Sequence, residues 1–444
     1  MMKKHKAFFF FCIALLCCIG PINGEEYIRN ISSIAGSNTI IRDVDATRFL
    51  VCGGKASGDC SFTLVTNGAS SHSEMTIMAD SVLDFEVYNG SDVYFCGRIN
   101  NGNGTYAMLG HFSLSGFPNS TVEYVSLPWL YSLKKMDIGW FANKMHVVAI
   151  GDAIAGNGVL VDAIIETTSW DINYAFIDTV NDCRFSDVAI TDSFVVATST
   201  YRGNIFRSSR IWYVKKPTSS GSPIQFNTCN YININENATE PLLIEKCEGN
   251  VFVTATKDPM VLHFPSYSTP PSHFFYVKAY SIDQLLHSVG WDLDNFIYPK
   301  LKDICYDPVN RILDCLIYTG DNSSQHNVIY HLDQTLSQSP GTSHGHSYDN
   351  IIINSLDRKA SQSKHFIAVG NSATDTWGSY LLKYKYDVWG SCFASEDISV
   401  SHRTNYISPI SKVLSRSHIL LLPLILDIDK KDHPIETLCH SNKQ

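Results

Sequence analysis

Met136-Asp-Ile138, then Val147-Val-Ala-Ile-Gly151, then Val159-Leu-Val-Asp-Ala-Ile-Ile165 is the stretch on which the fold turns. A short apolar–Asp–apolar segment leads into a polar turn. An apolar run then closes on glycine, and a second apolar run follows a polar loop. The middle run does not alternate, so it has to be covered on both faces; a strand with one wet face alternates polar and apolar residues.

The same order recurs along the chain. It reads Asp43-Val44, Phe49-Leu-Val-Cys-Gly53, Phe62-Thr-Leu-Val65, and again Leu83-Asp-Phe85, Val93-Tyr-Phe-Cys-Gly97, Tyr106-Ala-Met-Leu109. After the copy quoted first come Ser186-Asp-Val188, Phe194-Val-Val-Ala-Thr198 and Arg210-Ile-Trp-Tyr-Val214. A degraded fifth copy holds Ile244-Glu245, Val251-Phe-Val-Thr-Ala-Thr256 and Phe274-Phe-Tyr-Val277. Lys302-Asp-Ile304, Cys315-Leu-Ile-Tyr-Thr-Gly320 and Val328-Ile-Tyr330 make the sixth. The seventh is Leu356-Asp357, His365-Phe-Ile-Ala-Val-Gly370 and Tyr380-Leu-Leu-Lys-Tyr384. From Asp to the closing Gly the count is 13 residues in the second copy, 14 in the third and 13 in the seventh.

Three or four antiparallel strands every ~45–60 residues, without helical periodicity, predict an all-β chain built as a single β-propeller. Seven copies predict seven blades. A count of six or eight would also accommodate the weak fifth copy and the tail. Fourth strands are expected at 74–78, 121–127, 174–177 and 351–353, and loops at the Ser/Pro-rich stretches 216–223, 265–272 and 336–347. The segment 407–439 is expected to complete the last blade or to pair with 27–34, closing the ring and removing exposed strand edges.

The recurring Asp and the strand–turn–apolar strand–Gly order resemble the broad propeller class that includes kelch and WD-repeat proteins. Gly53-Gly54 is similar to the kelch glycine pair, and Trp170-Asp171 and Trp291-Asp292 to the dipeptide that ends a WD repeat. The resemblance covers nearly the whole chain after the leader, and it implies the architecture without selecting a family within it.

The first residues read as an export signal. Lys3, Lys4 and Lys6 precede an apolar run from Ala7 to Ile19 that is short for a membrane span, then Gly20-Pro21 and Asn23-Gly24. Residues 1–24 are therefore expected to leave as a signal peptide, and 25–444 to form the propeller, secreted, periplasmic or at the cell surface. Acylation at Cys18 is the alternative, disfavoured because Leu15-Leu16 are not the small residues a lipobox uses. No later stretch reads as a membrane span; Ile419 to Leu426 is about eight residues and holds Pro423.

The formal net charge is −9, and losing three lysines with the leader makes it −12, which argues against nucleic acid as a partner. Of the 13 cysteines, ten would remain after the leader goes, an even number in an exported chain. Bridges are expected between Cys52 and Cys60, between Cys305 and Cys315, and between Cys229 and Cys247.

Asp84, Asp137, Asp187, Asp303 and Asp357 recur on or beside the first strand of their copies. A residue repeated in nearly every blade serves the blade, so each is expected to anchor its own turn by accepting backbone N–H bonds. The rival reading is a ring of carboxylates for general acid–base work. No His-Glu-x-x-His helix, phosphate loop or dinucleotide fingerprint is present. Ser372 to Trp377 departs from the sialidase signature, and His344-Gly-His346 with Asp349 is short of a complete metal site.

No catalytic residue, cofactor or metal is therefore assigned. The expectation is a binding module for a protein or a glycan. The rivals are a polysaccharide hydrolase or lyase drawing on Asp152, Asp162, Trp140, Trp212 or Trp377, and a structural subunit of a surface assembly.

Overall fold

The structure is a computed structural model. It describes residues 27–440 apart from 32–34, 68, 70, 101, 155, 167–168, 177–181, 203–206, 227–228, 235–242, 248–249, 258–273, 282–283, 293–299, 322–323, 334–337, 347–350, 359–364, 373–378, 386–406, 412–414, 422–423, 426–427 and 435. Over parts of this range, 250–300 and the tail among them, the backbone path alone is described.

Every sheet is an antiparallel meander, and the described residues form seven of them, with no α-helix. The first runs Ala35–Asp43, Arg48–Gly54, Cys60–Thr66, Ser71–Ile77, and the second Ser81–Tyr88, Asp92–Asn100, Thr105–Ser113, Glu123–Leu127. The third runs Leu130–Phe141, Lys144–Ala153, Gly158–Ile165, Trp170–Phe176, and the fourth Asp182–Ile190, Phe194–Arg202, Arg207–Lys215, Asn230–Ile234. The fifth holds Leu243–Cys247, Asn250–Lys257, Phe274–Ser281 and Gln284–Asp292; the sixth holds Lys300–Asp307, Ile312–Asp321, Ser324–Asp333 and Gln338–His346. In the seventh, Ile351–Arg358, His365–Ser372 and Ser379–Lys385 are joined by the N-terminal strand Tyr27–Ile31. This is a β-propeller-like arrangement of repeated sheets.

The doubly apolar second strand does what its sequence requires. In the third sheet, Val147 and Ala149 pack backwards against Tyr94, Cys96 and Leu109 of the second. Val148 and Ile150 pack forwards against Phe185, Val195 and Trp212 of the fourth. Phe49 and Val51 of the first sheet meet Ile367, Val369 and Leu381 of the seventh in the same way. Each such side chain contributes about 1.5–3 kcal/mol of burial, so the sheet-to-sheet interfaces are the core.

Two expectations about strands need correction. Residues 351–353 open the first strand of the seventh sheet instead of closing the sixth. The fourth strand of the sixth sheet is Gln338–His346, inside the stretch read as a loop. Its Ser, Pro and Gly residues disfavour a strand, but at an outer position the neighbour needs backbone partners on one side only, which tolerates such residues. The stretch 265–272 lies outside the described residues.

The tail takes a route that the sequence does not announce. Ile407–Ser411 pairs with Asn230–Ile234 of the fourth sheet, and Ser415–Leu421 with Trp170–Phe176 of the third. Leu424–Ile425 then pairs with Glu123 and Tyr124 of the second sheet, and Ile428–Pro434 with Ser71–Ile77 of the first. Glu436–His440 ends beside Tyr27–Ile31 in the seventh. The expected pairing with the N-terminal strand is thus the last of five. No helix among the described residues is long and apolar enough to cross a membrane.

Candidate functional site

The first strands of all seven sheets contribute to one small cavity of about 180 Å³. Its charged lining is Arg42, Asp84, Glu86, Lys135, Asp137, Asp187, Glu245, Lys246, Asp303 and Asp357. All five recurrent aspartates therefore meet in one place.

A repeated backbone irregularity positions them. In five first strands the register slips by one residue, leaving Leu83, Lys134, Ser186, Lys302 and Asn354 without an opposite number. Such a bulge bends the strand and re-aims its side chains. The closing glycine of three copies makes room for it. A Cβ on Gly97 would sit 1.9 Å from the Ser81 carbonyl oxygen, one on Gly151 1.9 Å from that of Ser132, and one on Gly370 2.6 Å from that of Ile352.

The aspartates are not equivalent, although their recurrence in the sequence suggests that they are. Asp84, Asp187 and Asp303 directly follow the slipped residue, whereas Asp137 and Asp357 lie two residues further along. At about 3.3 Å per residue that is a second tier roughly 7 Å deeper.

Each carboxylate reaches the next sheet. Met136 N–H donates to Asp84 at 3.1 Å, Ile190 N–H to Asp137 at 2.5 Å and Ile244 N–H to Asp187 at 2.8 Å. Tyr306 N–H donates to Glu245 at 3.3 Å, Leu356 N–H to Asp303 at 2.9 Å and Asp43 N–H to Asp357 at 2.6 Å. Between the first and second sheets the link is ionic: Arg42 donates to Asp84 at 2.9 Å and to Glu86 at 3.0 Å. Asp137, Asp187 and Asp303 also accept the N–H of the following residue, at 2.8, 2.8 and 3.0 Å.

Burial pushes Asp187 up to about 7 against the opposing pull of Lys135, and pushes Glu86 up to about 7 against Arg42. Glu245 is also raised by burial, with Lys246 acting against it. Burial would lower Lys135 and Lys246, but the carboxylates around them, Asp84 and Asp137 foremost, hold both above the usual lysine range. Among the described residues no group of three or more His, Cys, Asp and Glu is arranged to hold a metal ion.

A second cavity, of about 410 Å³, opens at the N-terminal ends of the first strands and shares Lys135 and Asp303 with the first. Four of the five slipped residues line it: Leu83, Lys134, Lys302 and Asn354.

The other candidates scatter. Asp162 is fully buried in a 2.8 Å pair with His146, whose ring stacks on Phe141. Trp212 is buried, its indole N–H donating to Ser199, and Trp140 is exposed. Asp152 alone reaches the mouth cavity, ion-paired with Lys134 at 2.5 Å. His344 and His346 lie on the outer strand of the sixth sheet. Cys18, Asp349, Asp375 and Trp377 are outside the described residues, as is the side chain of Cys247.

The hairpin bridges expected of the cysteines do not form in this structure. Cys52 and Cys60 are buried thiols two register rows apart, opposite Phe62 and Gly54. Cys305 faces Asp314 and Cys315 faces Ile304, so the two occupy adjacent rows and point to opposite faces. Cys229 is buried, its thiol pushed up to about 12 by burial.

Repeated antiparallel sheets whose first strands converge on a shared cavity define a β-propeller-like protein. No family model matches the chain, and no curated protein does. Among solved structures 28 chains match. One is a mutant of ACO from Synechocystis, 9% identical, with 87% of this chain and 94% of that chain covered at a TM-score of 0.39. A likeness that distant carries no argument about function.

Proposed function

We propose that the chain is an exported seven-bladed β-propeller serving as a rigid binding module for a protein or glycan ligand. The blade count is supported by the seven sheets and by the packing of Phe49 and Val51 on Ile367 and Val369, which brings the last sheet against the first. Export is supported by the Lys3, Lys4 and Lys6 leader pattern ahead of residue 25.

One observation carries the binding-module reading. The carboxylates that converge at the centre are engaged by backbone amides and cations of neighbouring sheets, so they brace the scaffold. A general acid or base has to be available to a substrate.

The second reading is a polysaccharide hydrolase or lyase. It is favoured by Glu86 and Asp187, which hold their protons up to about pH 7, as a general acid must. The experiment is a glycan and surface-protein array probed with the purified chain, read for retention and for released product. Retention without product supports the module, and product release replaces it with the enzyme. Intact mass of the exported protein separates cleavage after Gly24 from acylation at Cys18.

A further inference from the structure

The geometry of the mouth cavity points to a binding site for a small, hydroxylated anion, an acidic sugar carrying a carboxylate; this rests on the binding-module reading and names its ligand class. Four cationic side chains, Arg98, Lys134, Lys135 and Lys302, line it against two carboxylates, Asp152 and Asp303, in a chain whose formal net charge is −9. The mouth is thus a cationic island on an acidic protein, and an anion gains there what it would lose elsewhere on the surface. Its volume of about 410 Å³ falls in the range of small-molecule pockets.

Apart from Lys135 and Asp303, the residues that make the mouth are not the ones that hold the scaffold. Lys134, Lys302 and Asn354 are slipped residues, one extra per first strand, delivered to the cavity by the bulge. The bulge recurs in five sheets, but its occupants are not uniform: Leu83, Ser186 and Asn354 stand beside two lysines, and an asymmetric ligand requires such a mixture. Arg98 is held in place from two sides: it donates to Ser81 at 3.1 Å and to the Tyr131 hydroxyl at 3.2 Å, with its guanidinium 5.6 Å from the Tyr131 ring centre. Tyr131 itself is 44% exposed, an aromatic edge at the rim.

Two buried polar atoms choose a sugar over a bare anion. The Ser355 hydroxyl, on a residue only 3% exposed, lines the cavity with no hydrogen-bond partner. Asp152 gives one oxygen to Lys134, while its other oxygen, Oδ1, is buried and has none. An unsatisfied buried polar atom is costly, so these positions favour a ligand that supplies partners. A carboxylate oxygen needs a donor. A sulfate dianion offers only acceptors, whereas a sugar acid offers a carboxylate for the cations and hydroxyls for Asp152 and Ser355.

The test is calorimetric titration of the purified chain at pH 7 with glucuronate, glucose and inorganic sulfate, repeated on Arg98→Gln/Lys302→Gln and on Asp152→Asn. Glucuronate should bind at least tenfold more tightly than glucose or sulfate. The double variant should weaken it at least tenfold, and Asp152→Asn should narrow its advantage over sulfate. Unchanged circular dichroism and melting of the variants show that they fold. Sulfate binding as well as glucuronate, no glucuronate binding, or affinity unmoved by the double variant each overturns the proposal. Array ligands retained equally by the wild type and the double variant leave the binding-module reading standing and place its site elsewhere.

Discussion

Asp357 accepts the backbone N–H of Asp43 at 2.6 Å, across 314 positions of sequence. The seventh sheet is thereby tied to the first by the same carboxylate-to-amide bond that ties the third to the fourth and the sixth to the seventh. Asp357→Ala leaves that amide without its acceptor and is expected to cost about 2–3 kcal/mol in urea unfolding. A loss under about 0.5 kcal/mol would mean that the bond does not tie the two sheets together.

The central acids set a pH slope. Asp187 and Glu86 keep their protons to about 7 in the folded chain, against ordinary values of 3.8 and 4.5. Between those limits the folded state binds more protons than the unfolded one, so stability falls as pH rises. Melting temperature should therefore drop from about pH 5 to pH 8. Asp187→Asn should flatten part of that slope. A melting temperature that climbs over this range contradicts the assignment.

Gly151→Ala is expected to destabilise by about 3 kcal/mol or more, since the new methyl lies 1.9 Å from a backbone oxygen that the bulge holds in place. Gly156→Ala is the control: φ is +84° and nothing lies within 4 Å, so only backbone strain of about 1–2 kcal/mol is added. Denaturant midpoints compare the two, and equal losses would contradict the steric account.

Cys52 and Cys60 are buried thiols, both pushed up by burial, and Cys52 also by Cys60. They should resist a maleimide in the native chain and both react in guanidinium without reductant. Mass spectrometry after tryptic digestion reads this directly, and a Cys52–Cys60 crosslink in unreduced digests counts against the structure.

The strand plan was legible because its cause is local. A run such as Met145 to Gly151 must be covered on both faces, and two neighbouring sheets cover it. The two tiers of aspartates were hidden by compensation. After Asp84 come four more paired residues and a three-residue turn, after Asp357 one paired residue and a seven-residue connection. The Asp-to-Gly count is 13 in both. The bulges were hidden because no one residue type marks them: Leu83, Ser186 and Asn354 occupy three, and lysines, Lys134 and Lys302, the other two. The path of the tail depends on which outer edges stand open, and that is a property of the assembled sheets.

The tail joins the fourth, third, second, first and seventh sheets in that order, against the direction in which the chain laid down the first four. During synthesis those outer strands leave the ribosome well before the segment that will flank them. The nascent chain must therefore wait with its flanks bare, and a chaperone has that interval in which to hold it. Once the tail is laid down, a protease cut near residue 407 would leave five seams held by strand pairing alone.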